Sequence, residues 1–146
     1  MTSDAFAKSI SLPDPFAKWF AMRGWSPHPH QLALLKNIQE QKNTLLIAPT
    51  GAGKTLAGFL PSLVDLSTRK DRKKSKSIHT LYISPLKALA VDIERNLEFP
   101  IRDLSLDIRV ETRTGDTPST KRSRQVQRPP DILLTTPEQE IGRAHV

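Results

Sequence analysis

Two stretches near the start of the chain carry apolar side chains at the spacing of a helix. They are residues 13–22, with Phe16, Trp19 and Phe20, and residues 29–41, with Leu32, Leu35 and Ile38. Side chains three and four positions apart lie on one helix face, so we expect two amphipathic helices. Gly24 is suited to end the first helix, and Pro29 is suited to the first turn of the second.

Later apolar runs are short and continuous, which is typical of strands buried on both faces. These runs are residues 45–47, 80–84 and 132–135. Residues 107–113 differ, because Ile108, Val110 and Thr112 alternate with charged side chains. That alternation predicts an edge strand with one side facing solvent.

Helical stretches at residues 56–67 and 86–97 separate these runs, so strands and helices alternate from residue 44 onward. Parallel strands joined by right-handed helical crossovers build an open α/β sheet with helices on both faces. Ligands of such sheets bind at the carboxyl ends of the strands. We therefore expect the functional residues at those ends.

Composition limits what else the chain contains. Its 146 residues provide one domain with a core, which we expect at residues 13–139 after a flexible segment at residues 1–12. There is no cysteine, which excludes disulfides and thiolate zinc sites. No apolar run approaches the roughly 20 residues that cross a bilayer, and the N-terminus lacks a secretory pattern. We expect a soluble, cytoplasmic protein with no membrane partner.

The net charge of +7 is unevenly distributed. A basic run at residues 69–76 carries most of the excess, and we expect it to be a solvated connector. A second group of cations is balanced by nearby carboxylates, and charge alone leaves open whether it contacts phosphates. This group comprises Lys121, Arg122, Arg124 and Arg128.

The string A-P-T-G-A-G-K-T at residues 48–55 lies between the first apolar run and a helical stretch. Glycines let consecutive N–H groups turn toward a polyphosphate, and the helix N-terminus adds the positive end of its dipole. We expect Lys54 to reach the β and γ phosphates and Thr55 to hold Mg²⁺, as catalytic residues of this loop. The alternative is a glycine turn that only joins a strand to a helix. The predicted nucleotide-binding residues of the loop are Pro49, Thr50, Gly51, Ala52, Gly53, Lys54 and Thr55.

Three further motifs, S-P-L-K-A-L, T-G-D-T and T-T-P-E, follow the later strands in order. With the phosphate loop, this set resembles the first half of a superfamily 2 helicase core, which has a RecA-like fold and binds ATP. The strings P-H-P-H-Q-L-A, T-L-A-G-F-L-P-S-L and R-V-E-T-R-T-G-D-T-P resemble the large-helicase-related proteins. Within that group the chain looks most like the bacterial DNA-ligase-associated DEXH-box helicases. The resemblance covers about residues 16–139.

The resemblance implies that Gln31 reads adenine, because a carboxamide can donate to N7 and accept from the N6 amine. An amide on the helix surface is the alternative. Phe16 or Trp19 could stack on the base, although aromatic side chains at this spacing more often belong to a core. His28 and His30 have no third ligand nearby in the sequence, so we expect no metal site there.

The same resemblance implies a groove for one nucleic-acid strand, with DNA favoured over RNA. Hydroxyls, backbone N–H groups and helix N-termini grip sugar and phosphate without reading bases. At the serine and proline positions, a turn that ends a strand is a compatible alternative. The predicted residues are Ser84, Pro85, Lys87, Arg113, Thr114, Gly115, Asp116, Thr135, Thr136, Pro137 and Glu138.

ATP hydrolysis in this superfamily needs a carboxylate pair at the end of another strand. No apolar run in this sequence ends in Asp-Glu, since Asp131 begins a run and Asp92 and Glu94 fall within a helical stretch. Residues 140–146 depart from the family pattern and resemble a translated sequencing-library adapter. We expect an artefactual tail on a partial domain that stops before its DExH strand.

Three functions remain open at this point. The resemblance implies the N-terminal part of an ATP-dependent DNA helicase or translocase, acting in DNA repair beside a DNA ligase and a nuclease. An ATP- and nucleic-acid-binding module without turnover is one alternative, and an RNA helicase of the same superfamily is another. A kinase is disfavoured, because nothing in the sequence resembles a lid or an acceptor site.

Overall fold

The computed structural model describes residues 11–49, 51, 53–69 and 77–138. Most of the expected flexible N-terminus, most of the basic run and the expected tail at residues 140–146 lie outside the described residues. The chain divides into two compact units, Met1–Thr68 and Arg69–Val146.

Three helices form the described part of the first unit. They are α1 (Asp14–Met22), α2 (Pro29–Gln39) and α3 (Lys54–Thr68). The two expected N-terminal helices are confirmed. Gly24 follows α1 with a φ of +68°, and its N–H donates to Ala21 O at 3.0 Å, which is the left-handed end that glycine permits. The core of this unit includes Phe16, Phe20, Leu35, Leu60 and Leu63.

The buried face of α2 differs from the expected one. Gln31, Leu34 and Leu35 are buried, whereas Ile38 is 45% exposed. α2 packs against α3. The buried face of α2 therefore includes Gln31 near its start and excludes Ile38 near its end. An apolar pattern cannot anticipate a buried amide, because its burial depends on hydrogen-bond partners elsewhere in the fold.

The expected strand at residues 45–47 is wrong. Residues 42–49 form no helix or strand, and Leu45 and Ile47 are 83% and 86% exposed. A strand needs a neighbour that pairs with its backbone groups, and the described part of the first unit contains no strand. The phosphate loop therefore follows an irregular segment in this structure.

A parallel sheet forms the centre of the second unit. Its strands are β1 (Thr80–Ile83), β2 (Val110–Arg113) and β3 (Ile132–Thr135). The order is β1-β3-β2, and β3 pairs in parallel with both neighbours. β3 is buried along its whole length, as its continuous apolar run predicts. Helices α4 (Lys87–Asp103) and α5 (Ser119–Gln127) provide the crossovers, so the α/β class with parallel strands is confirmed.

The two outer strands differ in burial from the expectation. In β1, Leu81 and Ile83 are 43% and 49% exposed, and because they are two positions apart they lie on the same face of the sheet. β2 lies at the opposite border, as expected, but it begins at Val110, and all four residues are half-buried. The alternating pattern predicted its edge position correctly and its solvent-facing side incorrectly.

The second unit contains one longer helix and one additional helix compared with what the apolar pattern predicted. α4 continues past residue 97 to Asp103, with Leu97 and Pro100 buried. α5 was not expected, because its sequence is almost entirely polar. Its buried side chain is Gln125, whose Nε2 donates to Thr112 O at 3.0 Å. A side-chain hydrogen bond to β2 thus replaces the apolar stripe by which helices are usually recognised.

Candidate functional site

The phosphate loop has the backbone conformation that its glycines allow. Gly51 and Gly53 adopt φ values of +82° and +71°, a region that residues with a Cβ rarely occupy. Gly53 leads directly into α3, and its carbonyl accepts the first helical hydrogen bond, from Ala57 N at 2.9 Å. The turn and the N–H groups of the first helical turn therefore adjoin each other, as anion binding requires. The predicted residues Thr50 and Ala52 lie outside the described residues.

Lys54 and Thr55 occupy the first turn of α3, and both are exposed. Pro49 and Gly51 are exposed as well. A ligand from solvent can therefore reach the predicted charged and hydroxyl groups of the loop. The N-terminal position of Lys54 places its ammonium on the same anion-binding end of the helix.

Gln31 links the start of α2 to the phosphate loop. Its Nε2 donates to Gly53 O at 3.3 Å, and its Oε1 accepts from His28 N at 2.8 Å. The second contact closes a capping box at the start of α2. Gln31 is 2% exposed, so the alternative of an amide on the helix surface is wrong. The carboxamide retains one N–H and one lone pair, which is the pair of groups that adenine would need.

The approach of Gln31 to the loop leaves little room for a side chain at Gly53. A Cβ placed on Gly53 would lie 2.7 Å from Gln31 Nε2 and 3.6 Å from His28 Cδ2. The first of these distances is below van der Waals contact. The lack of a Cβ at Gly53 thus permits both the left-handed backbone and the close packing of the Gln31 amide.

The aromatic residues upstream of the loop belong to the core. Phe16 and Trp19 are 1% and 5% exposed, and the Trp19 ring packs edge-on against Phe20 and Trp25. Phe16 and Trp19 are therefore core residues, as aromatic side chains at helical spacing more often are. His28 and His30 stack with ring centroids 5.2 Å apart, and the described residues contain no cluster of metal-ligating side chains.

In the second unit, the predicted strand-tip motifs meet at one edge of the sheet. Thr135 at the end of β3 is in register with Ile83 and with Arg113, the last residues of β1 and β2. Ser84 N donates to Thr135 O at 2.9 Å, just past β1. The carboxyl ends of all three described strands thus lie side by side, as the parallel topology predicts.

Burial separates the predicted nucleic-acid residues into two sets. Ser84, Thr114, Thr135 and Thr136 are buried. Pro85, Lys87, Gly115, Asp116, Pro137 and Glu138 are exposed, and Arg113 is half-buried. The exposed set is the part that solvent-borne ligands can touch directly.

Two of the buried hydroxyls have structural partners. Ser84 Oγ donates to Leu86 O at 3.1 Å and accepts from Leu86 N at 3.3 Å, which is the strand-ending turn expected at this position. Thr135 Oγ1 donates to Arg113 O at 2.7 Å. These hydroxyls hold the strand tips together.

Three of the exposed residues at this edge are charged. Lys87 Nζ lies 3.0 Å from Asp116 Oδ2. The pKa of Glu138 is lowered mainly by the nearby Thr136 side chain and by its own backbone N–H, and more weakly by the positive charge of Lys87. One exposed cation and two exposed carboxylates therefore share this edge with the half-buried Arg113.

Arg122 is a residue whose role the sequence left open. Its Nε donates to Thr117 O at 3.0 Å, and its Nη2 donates to Thr114 O at 2.9 Å and Gly115 O at 3.1 Å. The guanidinium thus clasps residues 114–117, which we call the T-G-D-T turn. A basic cluster in the sequence marks Arg122, but only the fold shows that it faces backbone carbonyls.

Comparisons with known proteins identify the family. Residues 28–142 match the family model described as DEAD/DEAH box helicase. The chain is 47% identical over 114 residues to ATP-dependent helicase Lhr-Core of Methanothermobacter thermautotrophicus, covering 71% of this chain and 13% of the relative. It is 41% identical over 138 residues to the Lhr-Core helicase of Methanocaldococcus jannaschii, covering 87% of this chain and 16% of the relative. The chain therefore spans less than a fifth of these relatives.

A solved structure shares the fold. The structure of Mycobacterium smegmatis helicase Lhr bound to ssDNA and AMP-PNP superposes with a TM-score of 0.73 at 41% identity, covering 86% of this chain and 16% of that one. Together with the parallel sheet, this likeness confirms the expected RecA-like α/β class. None of the helices in the described residues has the length and apolar character needed to cross a membrane.

Proposed function

Because this chain belongs to the DEAD/DEAH box helicase family, we propose that it supplies the ATP-binding loop and part of the single-strand-binding surface of an ATP-dependent DNA helicase or translocase. In such a motor, ATP draws two domains around a strand and hydrolysis releases them. The relatives are ATP-dependent helicases, and the chain covers only a small part of each. The activity of a whole protein is accordingly part of the proposal.

The phosphate loop is the observation that carries this proposal. Left-handed Gly51 and Gly53 precede a 15-residue helix whose first residue is Lys54. Backbone N–H groups and the helix dipole favour a polyphosphate there, and the Lys54 ammonium adds a mobile positive charge. The solved relative bound to AMP-PNP supports ATP as the ligand.

Each residue of the nucleotide site has a proposed role. Lys54 contacts the β and γ phosphates, and Thr55 holds Mg²⁺ through its hydroxyl. Gln31 reads the adenine edge with the N–H and lone pair that its contacts to His28 and Gly53 leave over. The other loop residues, Pro49, Thr50, Gly51, Ala52 and Gly53, supply backbone groups.

The proposed nucleic-acid surface lies where the three strands of the second unit end. We call this side of the sheet the strand-tip edge. Lys87 offers a phosphate-pairing charge, and the exposed residues Pro85, Gly115 and Pro137 leave room for a strand to approach. Buried Ser84, Thr114, Thr135 and Thr136 hold the strand ends beneath this surface, and Arg113 and Glu138 lie beside them. Asp116 belongs to the predicted set as the ion-pair partner that holds Lys87 in place. The relative bound to ssDNA supports DNA as the strand.

We also propose the finer assignment that the sequence resemblance implies. The chain would belong to a DEXH-type helicase that acts in DNA repair beside a DNA ligase and a nuclease. This part of the proposal is supported by the longer sequence strings alone. Co-purification of the ligase and nuclease with the tagged full-length helicase would test it, and their absence from the complex would contradict it.

A second candidate is an ATP- and strand-binding module that does not hydrolyse ATP. The observation that favours it is the lack of any Asp-Glu pair in the 146 residues, since water activation in this superfamily uses a carboxylate at a strand end. Both candidates require the same nucleotide loop and differ in turnover.

A titration with a fluorescent ATP analogue in Mg²⁺ tests what both candidates share. We expect saturable binding that Lys54→Ala weakens at least about tenfold, because the loss of a charged phosphate contact costs roughly 1.5–3 kcal/mol. Lys18→Ala, which removes an exposed lysine of α1, is the matched control and should bind as the unaltered chain does. Equal binding by both variants would overturn the proposed role of the loop.

A further inference from the structure

The Arg122 guanidinium is fully engaged along one edge. Its Nε hydrogen goes to Thr117 O, and the two Nη2 hydrogens go to Thr114 O and Gly115 O, over distances of 2.9 to 3.1 Å. A guanidinium has five N–H donors, and only the two on Nη1 remain. Bidentate pairing with a phosphate uses two parallel N–H groups along one edge. The edge that contains Nε is thus occupied by protein.

The turn that Arg122 clasps also depends on its own side chains. Thr114 N donates to Thr117 Oγ1 at 2.9 Å, and Thr117 N donates to Thr114 O at 3.2 Å. Thr114 O therefore accepts from both the turn and Arg122. Gly115 O belongs to the exposed tip of the turn, and Arg122 Nη2 holds it with a hydrogen bond of 3.1 Å.

From this geometry we propose that Arg122 is a positioning residue for the nucleic-acid strand. It holds the T-G-D-T turn so that Gly115 and Asp116 stand at the strand-tip edge beside Lys87, and it does not itself contact phosphate. The inference rests on the proposed function, because it assigns Arg122 a role in that strand-binding surface. It also separates Arg122 from the other cations of α5, with which the sequence groups it.

Lysine cannot replace arginine in this role. Its ammonium is a point charge with rotating donors, whereas the three carbonyls require a planar fork. Arg122→Lys therefore keeps the charge and loses the clasp. A residue that acts through charge would tolerate that change, and a residue that acts through the fork would not.

Binding of a fluorescein-labelled oligo-dT, followed by anisotropy across a range of salt concentrations, tests the proposal. We expect Arg122→Gln and Arg122→Lys to weaken binding by roughly tenfold each, as the loss of several charge-assisted hydrogen bonds in a binding turn would. The slope of log affinity against log salt should stay at the unaltered value. A phosphate-contacting cation would instead reduce that slope by about 0.7 on a single strand.

Two controls accompany the measurement. Arg128→Gln removes an exposed arginine just past α5 and should leave both affinity and turn unchanged. Amide hydrogen exchange at Thr114, whose N–H donates to Thr117 Oγ1, should speed up in the two Arg122 variants and not in Arg128→Gln.

The outcomes separate the inference from the proposed function. Two results would overturn the positioning role and leave strand binding intact. The first is Arg122→Lys binding oligo-dT as tightly as the unaltered chain, and the second is a slope of log affinity against log salt reduced by about 0.7 in Arg122→Gln. Absence of oligo-dT binding by the unaltered chain would overturn the proposed strand-binding surface, and this inference with it. Weakened binding with an unchanged slope and faster Thr114 exchange would support both.

Discussion

Lys87 Nζ lies 3.0 Å from Asp116 Oδ2, so an ion pair joins the first residue of α4 to the tip of the T-G-D-T turn. Both side chains are substantially exposed, at 49% and 81%. A phosphate that binds Lys87 must compete with Asp116, because both anions approach the same ammonium. The pair holds Lys87 at the strand-tip edge and at the same time opposes its use by a ligand.

Asp116→Asn should raise single-strand affinity. An exposed ion pair contributes about 0–1 kcal/mol, so we expect a gain of up to about fivefold, together with less repulsion of the DNA backbone. Anisotropy with oligo-dT at low salt measures it. Asp92→Asn, which removes an exposed carboxylate of α4, controls for net charge. A loss of affinity in Asp116→Asn alone would show that the carboxylate itself binds the strand.

Gly53→Ala should destabilise the chain more than Gly24→Ala. Both glycines have φ near +70°, and alanine in that region costs about 1–2 kcal/mol. At Gly24 the added Cβ has no atom within 4 Å, whereas at Gly53 it lies 2.7 Å from Gln31 Nε2. Thermal unfolding compares the two variants, with Gly58→Ala, also in open space, as the helical control. Equal losses at Gly53 and Gly24 would mean that the Gln31 amide moves aside without cost.

Glu94→Gln should stabilise the chain in a pH-dependent way. Burial raises the pKa of the Glu94 carboxyl, against a smaller lowering by the Lys121 charge. In acid the carboxyl is neutral in the folded and unfolded chain, so glutamine gains little there. As the pH rises past the ordinary carboxyl range and then past the raised value, the folded chain must carry a disfavoured charge, and the unaltered protein loses stability.

Chemical denaturation of Glu94→Gln and the unaltered chain across pH measures this difference. The advantage of glutamine should be smallest in acid and largest at neutral pH. Asp92→Asn on the same helix is the control for removing an exposed carboxylate. An advantage that shrinks as the pH rises would contradict the raised pKa of Glu94.

The 146-residue chain should show no DNA-stimulated ATPase activity. Its sequence contains no Asp-Glu pair to position Mg²⁺ and activate water. Phosphate release with and without oligo-dT, compared with Lys54→Ala, measures this. Stimulated turnover that disappears in Lys54→Ala would favour the first candidate function for this chain itself.

The sequence predicted best where one local signal controls the structure. The glycine conformations of the phosphate loop, the end of α1 at Gly24 and the buried strand β3 follow from residue type or a continuous apolar run, and the structure agrees. Such features depend on the chain within a few residues. The alternation of strands and helices also predicted that the strand-tip motifs lie together, because parallel topology brings the carboxyl ends of the strands to one edge.

Prediction from the sequence failed where the burial or secondary structure of a segment depends on a partner distant in the sequence. Residues 45–47 are apolar but form no strand, and Leu45 is exposed. α5 is polar and held through Gln125 and the Arg122 clasp. Gln31 is buried because its amide finds partners in His28 and Gly53. An apolar pattern carries no information about such polar contacts.

A crystal structure of the chain with AMP-PNP and Mg²⁺ tests the central claim most directly. We expect the triphosphate in the turn between Gly51 and Thr55, with Lys54 Nζ within hydrogen-bonding distance of the β and γ phosphates and the adenine edge on Gln31. A nucleotide bound elsewhere, with Lys54 remote from its phosphates, would contradict the account.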